Sequence, residues 1–304
     1  MTVSDLIRRR FSFSPAELRV YAQTCPYRYK TYPIDKRNSQ QKRWISQPSK
    51  DLKAVQRLVL SEFLGPKLTV HDSAKAYKSD TNILDNAGPH LKNRYLLKMD
   101  FRDFFPSIRA QDFVRYLLGS GIVQDEAEAN LLARIFFKYC DGELCLSIGS
   151  PGSPVISNAL LFPFDENISD ICQKNIVAYT RYSDDLTFST NTRDLLFSWP
   201  QKVEEALTAL QSPKLELNRE KTVFSSKKFN RHVTGITITN DDKASIGRDK
   251  KRALRTRIYN APNLNEEELA RLRGYISFVN QVESDMISKL WKKYPKQMGR
   301  ILRQ

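Results

Sequence analysis

The stretch Tyr179-Thr180-Arg181-Tyr182-Ser183-Asp184-Asp185-Leu186-Thr187-Phe188-Ser189 decides the fold. The residues before and after Ser183-Asp184-Asp185 are rich in β-branched and aromatic side chains, which predicts two short strands joined as a β-hairpin. Two adjacent carboxylates then lie at or beside the hairpin tip, where they repel each other. A divalent cation would remove that repulsion, because hard cations such as Mg²⁺ bind carboxylate oxygen. A solvated acidic turn is the alternative interpretation of an isolated Asp-Asp pair.

A third carboxylate upstream favours the metal site. Residues 95–99 predict a short apolar strand that ends at Asp100, and an aromatic turn follows it. If this strand lies beside the 179–190 hairpin, three carboxylates meet at one end of a sheet. Such a site holds two metal ions about 3.5–4 Å apart, which clamp the attacking and leaving oxygens of a phosphoryl transfer.

These two motifs, in this order and at this spacing, resemble those of the reverse transcriptases. Asp100 matches the first metal-binding aspartate of that family, and Tyr182 to Asp185 matches its Tyr-x-Asp-Asp motif. The resemblance implies an RNA-directed DNA polymerase, which is a nucleotidyltransferase. It implies that Asp100, Asp184 and Asp185 hold two Mg²⁺ ions, with the backbone carbonyl of Phe101 as a further ligand.

The resemblance also assigns residues around an incoming deoxynucleoside triphosphate. Arg43 matches the arginine that grips the phosphates, and Lys36 matches the lysine beside it. Phe105 matches the aromatic gate that leaves no room for a 2′-hydroxyl, and Lys221 matches the lysine that donates a proton to pyrophosphate. Each of these side chains has a plainer alternative, because Phe105 suits a core and a lone cation suits a solvated surface.

A loop rich in glycine and proline, residues 146–154, matches the family pattern Leu-Pro-Gln-Gly-x-Pro-x-Ser-Pro. Gly149 suits close approach of the backbone to the nucleotide. Ser147 and Ile148 stand where the pattern has proline and glutamine, and that glutamine lies near the nucleotide sugar. No metal ligand is lost, so the resemblance predicts that the chemistry survives.

Two further motifs are similar to marks of the retron reverse transcriptases. They are Asn86-Ala87-x-x-His90, just before the Asp100 strand, and Val233-Thr234-Gly235. We assign Asn86, His90, Val233, Thr234 and Gly235 to RNA binding on this resemblance. It implies a cognate structured noncoding RNA that serves as template and primer, with synthesis started from a guanosine 2′-hydroxyl. The product is a branched RNA–DNA hybrid (msDNA), which is used in antiphage defence with an effector protein encoded nearby.

Two alternatives remain, and the second of them belongs to a different functional class. A group II intron or diversity-generating reverse transcriptase would share the aspartates, but it would lack the Asn-Ala-x-x-His and Val-Thr-Gly motifs. A non-catalytic RNA-binding scaffold that restrains an effector would not need three intact aspartates. Sequencing of co-purified nucleic acid distinguishes these possibilities.

Positive charge indicates a polyanionic partner, because the net charge of the 304 residues is +15. Residues 243–304 carry 15 Lys and Arg against 6 Asp and Glu, a net charge of +9. Residues 248–259 predict one basic helix, and aromatic residues are interleaved through the rest of the segment. We expect this segment to bind nucleic acid through Arg248, Lys251, Arg252, Arg255 and Arg257.

The predicted fold is α+β, a right-hand polymerase with an antiparallel-sheet palm. The predicted fingers are residues 1–93 with 109–147, the palm is the remainder of 94–240, and the small helical thumb is 241–304. Local patterns predict helices at 15–22, 111–118 and 126–139, and one strand at 233–239.

Cysteine usage and hydropathy complete the prediction. The four cysteines have no Cys-x-x-Cys spacing, which favours buried or reduced thiols over a disulfide framework or a zinc site. No apolar run is long enough to span a membrane, and the N-terminus lacks the apolar core of a signal peptide. We therefore expect a bacterial cytoplasmic protein with no membrane partner.

Overall fold

A four-stranded antiparallel sheet is the centre of the fold in the computed structural model, which describes residues 2–35 and 42–302. The strands are β1 (Tyr29–Asp35), β2 (Lys42–Pro48), β3 (Tyr95–Asp100), β4 (Lys138–Cys140), β5 (Glu143–Cys145), β6 (Ala178–Tyr182), β7 (Asp185–Thr190), β8 (Val223–Ser226), β9 (Arg231–Val233), β10 (Ile236–Ile238) and β11 (Ala244–Ser245). The central sheet has the order β6-β7-β3-β8, and every neighbouring pair is antiparallel.

Helices surround this sheet on its apolar side and form both ends of the chain. They are α1 (Val3–Phe11), α2 (Pro15–Thr24), α3 (Lys50–Val59), α4 (Ile83–Ala87), α5 (Phe104–Ser107), α6 (Ala110–Gly119), α7 (Glu126–Phe136), α8 (Gly152–Leu160), α9 (Phe162–Lys174), α10 (Trp199–Ala209), α11 (Arg248–Tyr259), α12 (Glu266–Val282), α13 (Ser284–Lys293) and α14 (Pro295–Leu302). Within the described residues, none of the helices has the length and apolar character needed to cross a membrane.

Strand alternation decides which side chains face the helices. Leu97 lies opposite Phe188 in the register, Met99 lies opposite Leu186, and all four belong to the larger hydrophobic core. Phe164 of α9 and Trp199 of α10 pack against this face. Asp100 comes one residue after Met99, so its side chain points to the other face.

A second, smaller core lies towards the C-terminus. It joins the short sheet β11-β10-β9 to α11, α12, α13 and α14 through buried residues that include Ile236, Leu254 and Ile276. Leu96 of β3 belongs to this second core, whereas its neighbour Leu97 belongs to the first. The predicted α+β fold with an antiparallel sheet is confirmed, and the exact limits of fingers, palm and thumb stay a prediction.

Several local predictions were wrong. Residues 233–239 form no single strand, because Thr234 and Gly235 adopt positive φ angles of 45° and 80° and turn the chain between β9 and β10. A run of β-branched residues hid this hairpin. The helix predicted at 126–139 ends at Phe136, and residues 138–140 pair as a strand with 143–145. Helix α1 was not predicted.

The cysteine prediction also needs correction. Cys140 and Cys145 form a disulfide across the β4–β5 hairpin, whereas Cys25 and Cys172 are free and buried as expected. The hairpin turn at Asp141-Gly142, which has positive φ angles of 48° and 91°, brings the two strands together.

Candidate functional site

The three predicted aspartates meet at one end of the central sheet. Asp100 is the last residue of β3 and lies opposite Asp185, the first residue of β7. Ser183 and Asp184 form the turn between β6 and β7. The backbone N–H of Phe101 donates to the carbonyl oxygen of Asp184 at 3.1 Å, which places the Phe101 backbone beside the hairpin tip. The strand order therefore produces the juxtaposition that the motifs predict.

Burial and mutual repulsion raise the pKa of two of these carboxylates, Asp184 and Asp185. Loss of water contact, followed by repulsion from Asp100, raises the pKa of Asp184 above its ordinary value. The same two causes, with repulsion from both Asp184 and Asp100, raise the pKa of Asp185 to about 6. Asp185 is exposed as a residue although its carboxylate loses part of its water contact, and a bound cation would offset the repulsion between the carboxylates. The pKa shifts thus indicate a site that favours positive charge.

Lys221 provides one positive charge at this site. Its Nζ donates to Oδ1 of Asp100 at 2.7 Å, while slightly more than half of the lysine side chain is exposed. In residues 2–35 and 42–302 no three His, Cys, Asp or Glu side chains are already arranged as a metal ligand set. The donor chemistry nevertheless fits a divalent cation, because three mutually repelling carboxylates supply the oxygen ligands that hard cations prefer.

A buried polar network holds the turn between β6 and β7, and the sequence did not predict it. Arg181 and Asp165 have no exposed side-chain surface, and Nη2 of Arg181 lies 2.6 Å from Oδ2 of Asp165. Nη1 of Arg181 donates to the carbonyl oxygen of Ser183 at 3.0 Å and to Oδ1 of Asn158 at 3.0 Å. Ser183 has a positive φ of 60°, so the arginine holds a turn that is sterically unfavourable for a residue with a side chain.

Two of the predicted nucleotide-binding residues line a cavity of about 350 Å³, and Tyr77 in the same lining donates a hydrogen bond to Ser183 beside the aspartates. Half-buried Phe105 lines it together with Ile148 and Gly149. Arg43 lies on β2, and its charge acts on Asp184 to favour the ionised carboxylate. Lys36 lies outside the described residues.

Gly149 fits closely against the β1–β2 hairpin. Its φ is 119°, and a Cβ at this position would lie 2.9 Å from the carbonyl oxygen of Ser46. The neighbouring carbonyl of Ile148 accepts from the N–H of Ser46 at 2.8 Å. The loop is therefore attached to β2, and any larger residue at 149 would separate the two.

The structure accounts for the serine at position 147. The backbone N–H of Ser147 donates to Oγ of Ser153 at 3.2 Å, and that hydroxyl donates back to the Ser147 carbonyl at 2.7 Å. Proline has no N–H and could not make the first bond. The side chain of Ser147 also donates to the carbonyl of Ser46. Ser147 thus forms hydrogen bonds within the loop and to β2 at the position where the family pattern has proline.

The two motifs that resemble retron marks contact each other. Nδ2 of Asn86 donates to Oγ1 of Thr234 at 3.3 Å. His90 is buried, with Nδ1 2.7 Å from Oγ of Ser189 and Nε2 2.8 Å from Oγ1 of Thr180. Burial lowers the pKa of His90 to about 3, so the imidazole is neutral. These contacts support a structural role, and direct RNA contact by Asn86 or His90 stays a prediction.

A basic groove runs between the β9–β10 hairpin and α11. Its volume is about 1,030 Å³, and its lining includes Gly235 and the basic residues Lys227, Lys228, His232, Arg248, Lys250, Lys251 and Arg255. Arg252 and Arg257 are exposed elsewhere on α11, whereas Lys251 is ion-paired with Glu283. Val233 is buried in the second core. We call this feature the basic groove.

Comparisons with known proteins agree with this geometry. The family described as "Reverse transcriptase (RNA-dependent DNA polymerase)" matches residues 34–238. The retron Ec83 reverse transcriptase of Escherichia coli is 41% identical over 272 residues, which cover 88% of this chain and 86% of that protein. The retron Ec86 reverse transcriptase of Escherichia coli is 32% identical over 294 residues, covering 92% and 86%.

A solved structure of telomerase from Candida albicans, in complex with a TWJ fragment of telomeric RNA, has a similar fold. The TM-score is 0.51 at 13% sequence identity, and the match covers 94% of this chain. The chain spans 59% of the length of that telomerase. At this identity the likeness concerns the fold alone.

Proposed function

Because this chain belongs to the reverse transcriptase family, and within it to the bacterial retron reverse transcriptases, we propose that it copies a cognate structured noncoding RNA into msDNA. Synthesis would start from a guanosine 2′-hydroxyl of that RNA and give a branched RNA–DNA hybrid. The single observation that carries this proposal is the convergence of Asp100, Asp184 and Asp185 at the end of β3 and the β6–β7 turn.

The aspartates would hold the metal that this family needs, and we propose two Mg²⁺ ions. Asp100, Asp184 and Asp185 would supply carboxylate oxygens, and Phe101 would supply its backbone carbonyl. When bound, the metals would supply the charge that favours ionisation of the primer hydroxyl and neutralises the triphosphate. Their charge would also lower the raised pKa of Asp185 and favour its ionised carboxylate.

Other residues would position the deoxynucleoside triphosphate. Arg43 projects its charge towards Asp184 and would bind the phosphates, since a guanidinium matches phosphate geometry. Phe105 lines the adjacent cavity and would exclude a ribose 2′-hydroxyl. Lys221, whose ammonium already lies 2.7 Å from Asp100, would protonate the departing pyrophosphate. Lys36 is proposed as a second phosphate ligand on the resemblance alone.

The exposed arginines of α11 and the basic groove would bind the RNA backbone. Polyvalent contact with phosphates gives affinity, whereas the shape of an RNA stem-loop supplies much of the specificity. We further propose that the enzyme acts in the bacterial cytoplasm, with an effector protein encoded nearby, in defence against phage. The family membership supports this part of the proposal.

A metal-site variant tests the proposal. Asp184→Asn should abolish DNA synthesis and leave RNA affinity largely intact, because only the charge balance at the metals changes. Primer extension and RNA binding are measured on the purified protein with Mg²⁺. Glu267→Gln on exposed α12 is the matched control, since it also neutralises one carboxylate. Measurable extension by Asp184→Asn contradicts the assignment.

The retron-specific part needs a separate experiment. Nucleic acid that co-purifies with the protein is sequenced and treated with a debranching enzyme that cleaves 2′,5′-linkages. A single structured RNA joined to DNA through a guanosine 2′-oxygen is the expected result. Linear DNA without a 2′,5′ branch would refute self-priming and leave the polymerase assignment unchanged.

A further inference from the structure

An exposed aromatic cluster lies at the outer edge of the central sheet, next to β8. Phe197 and Phe229 are 65% and 64% exposed, and Phe224 is 42% exposed. The rings of Phe197 and Phe224 pack against each other with centroids 5.1 Å apart. A contiguous exposed patch of aromatic side chains is a candidate binding site.

These rings and Tyr95 line a pocket of about 210 Å³, which we call the aromatic pocket. It is smaller than the roughly 300–1,000 Å³ typical for drug-sized ligands, so it suits a flat group of a few atoms across. The only ionisable side chain in its lining besides Tyr95 is Asp194, which pairs with the neighbouring Arg193 at 3.4 Å. The pocket therefore offers aromatic walls and a carboxylate that can accept a hydrogen bond.

Positive charge borders the aromatic pocket. The guanidinium of Arg94 lies 5.8 Å from the centroid of Tyr95, and the ammonium of Lys228 lies 5.8 Å from that of Phe229. Both cations are exposed. Phe229 lines the aromatic pocket and also the basic groove, so the two are adjacent. Charge complementarity thus favours a polyanion over an apolar protein segment as the occupant.

We propose that the aromatic pocket binds an unpaired nucleobase of a nucleic acid whose backbone continues into the basic groove. Aromatic side chains stack on the faces of unpaired bases while basic residues follow the phosphates. Asp194 can accept from the amino group of cytosine, adenine or guanine. The inference rests on the proposed function, because the basic groove is assigned there to nucleic acid.

The test uses the full chain and synthetic hairpin duplexes, either blunt or with a three-nucleotide unpaired tail of RNA or of DNA. Affinity is measured by fluorescence anisotropy at constant salt, and a 2-aminopurine in the tail reports stacking by loss of fluorescence. Wild-type protein should bind tailed probes more tightly than blunt ones. Phe197→Ala and Phe229→Ala should each weaken tailed binding by about 5- to 150-fold, since one base–aromatic stack contributes about that factor.

Blunt-duplex binding should change little in Phe197→Ala, because Phe197 lines the aromatic pocket and not the basic groove, and the 2-aminopurine signal should recover in both variants. Tyr27→Ala is the matched control, because Tyr27 is an aromatic residue that is 67% exposed near the N-terminus. It should leave the tailed-to-blunt ratio unchanged. Comparison of the RNA and DNA tails identifies which strand supplies the base.

Three outcomes separate the possibilities. Equal binding of tailed and blunt probes by wild-type protein overturns this inference alone, whereas no binding of either probe overturns the assignment of the basic groove to nucleic acid, on which the inference rests. Unchanged tailed binding in both variants also overturns the inference. If those variants instead lose self-association in sedimentation, the pocket binds protein and the nucleobase assignment is wrong.

Discussion

The buried pair of Arg181 and Asp165 leads to a prediction that separates stability from catalysis. Both side chains are fully buried, so Asp165→Asn leaves the guanidinium without its counter-charge. Breaking a buried ion pair by removing one partner costs about 3–5 kcal/mol. We therefore expect the free energy of unfolding to fall by about this amount.

Replacing both members tests what the arginine does for the hairpin. Asp165→Leu with Arg181→Met removes both charges, and apolar replacement of a buried pair is often neutral or stabilising. Recovery should be partial, because the Tyr179 hydroxyl and the Asn158 amide each lose a hydrogen-bond partner. The Ser183 carbonyl also loses its donor, so the turn before Asp184 is no longer held. A shift of about 1 Å there should slow nucleotide addition roughly 10²-fold.

The assays are urea unfolding and single-turnover nucleotide addition on a pre-annealed primer. Glu267→Gln, which breaks an exposed helical ion pair, is the control and should cost less than about 1 kcal/mol. If the double variant regains both stability and rate, Arg181 does not position the turn. If Asp165→Asn is as stable as wild type, the pair is not buried in solution as described.

Three further predictions concern titration, sugar selection and RNA binding. Folding raises the pKa of Asp185 from 3.8 to about 6, so the folded protein favours the protonated carboxyl. The stability that Asp185 contributes is therefore present below about pH 4 and is lost as pH rises to about 6. In chelator, Asp185→Asn should therefore melt higher than wild type at pH 7 and similarly at pH 4, and equal melting temperatures at pH 7 would contradict the repulsion. Phe105→Ala should raise ribonucleotide incorporation relative to deoxyribonucleotide by about tenfold or more in competition assays, and unchanged discrimination by a folded, active variant would reduce Phe105 to a packing residue. Replacing the exposed residues Arg252, Arg255 and Arg257 by Gln should make the negative slope of log affinity against log salt shallower by about 2–3 units for the cognate RNA. An unchanged slope would show that these arginines do not touch RNA.

The aspartate site could be predicted because each of its two segments has a recognisable pattern, and the resemblance to reverse transcriptases implies that the two segments meet. Asp100 ends an apolar strand, and Asp184 and Asp185 lie between two strands that only a tight turn can join. Pairing those strands brings the carboxylates together without knowledge of the rest of the chain. The basic helix 248–259 could be predicted for the same reason, because its pattern is confined to twelve consecutive residues.

The buried pair that supports this site could not be predicted, because no motif or local pattern links its two partners. Arg181 occupies a core-facing position on β6, which is a sign that a partner exists, but nothing near it identifies Asp165 on α9. The contact of Asn86 with Thr234 joins residues 148 positions apart. The β9–β10 hairpin was not predicted, because β propensity does not show where a strand ends in a turn.

The division of β3 between two cores has a mechanical consequence. Leu96 is packed in the second core with the C-terminal helices, and Leu97 is packed in the first. The same six-residue strand ends at Asp100. Because this one short strand contacts both cores, a displacement of the C-terminal lobe that moves Leu96 would also move Asp100, which is proposed as a metal ligand. The path from Leu96 to Asp100 consists of five consecutive residues of β3 and contains no loop, so nucleic acid bound to the C-terminal lobe could alter the position of Asp100 directly.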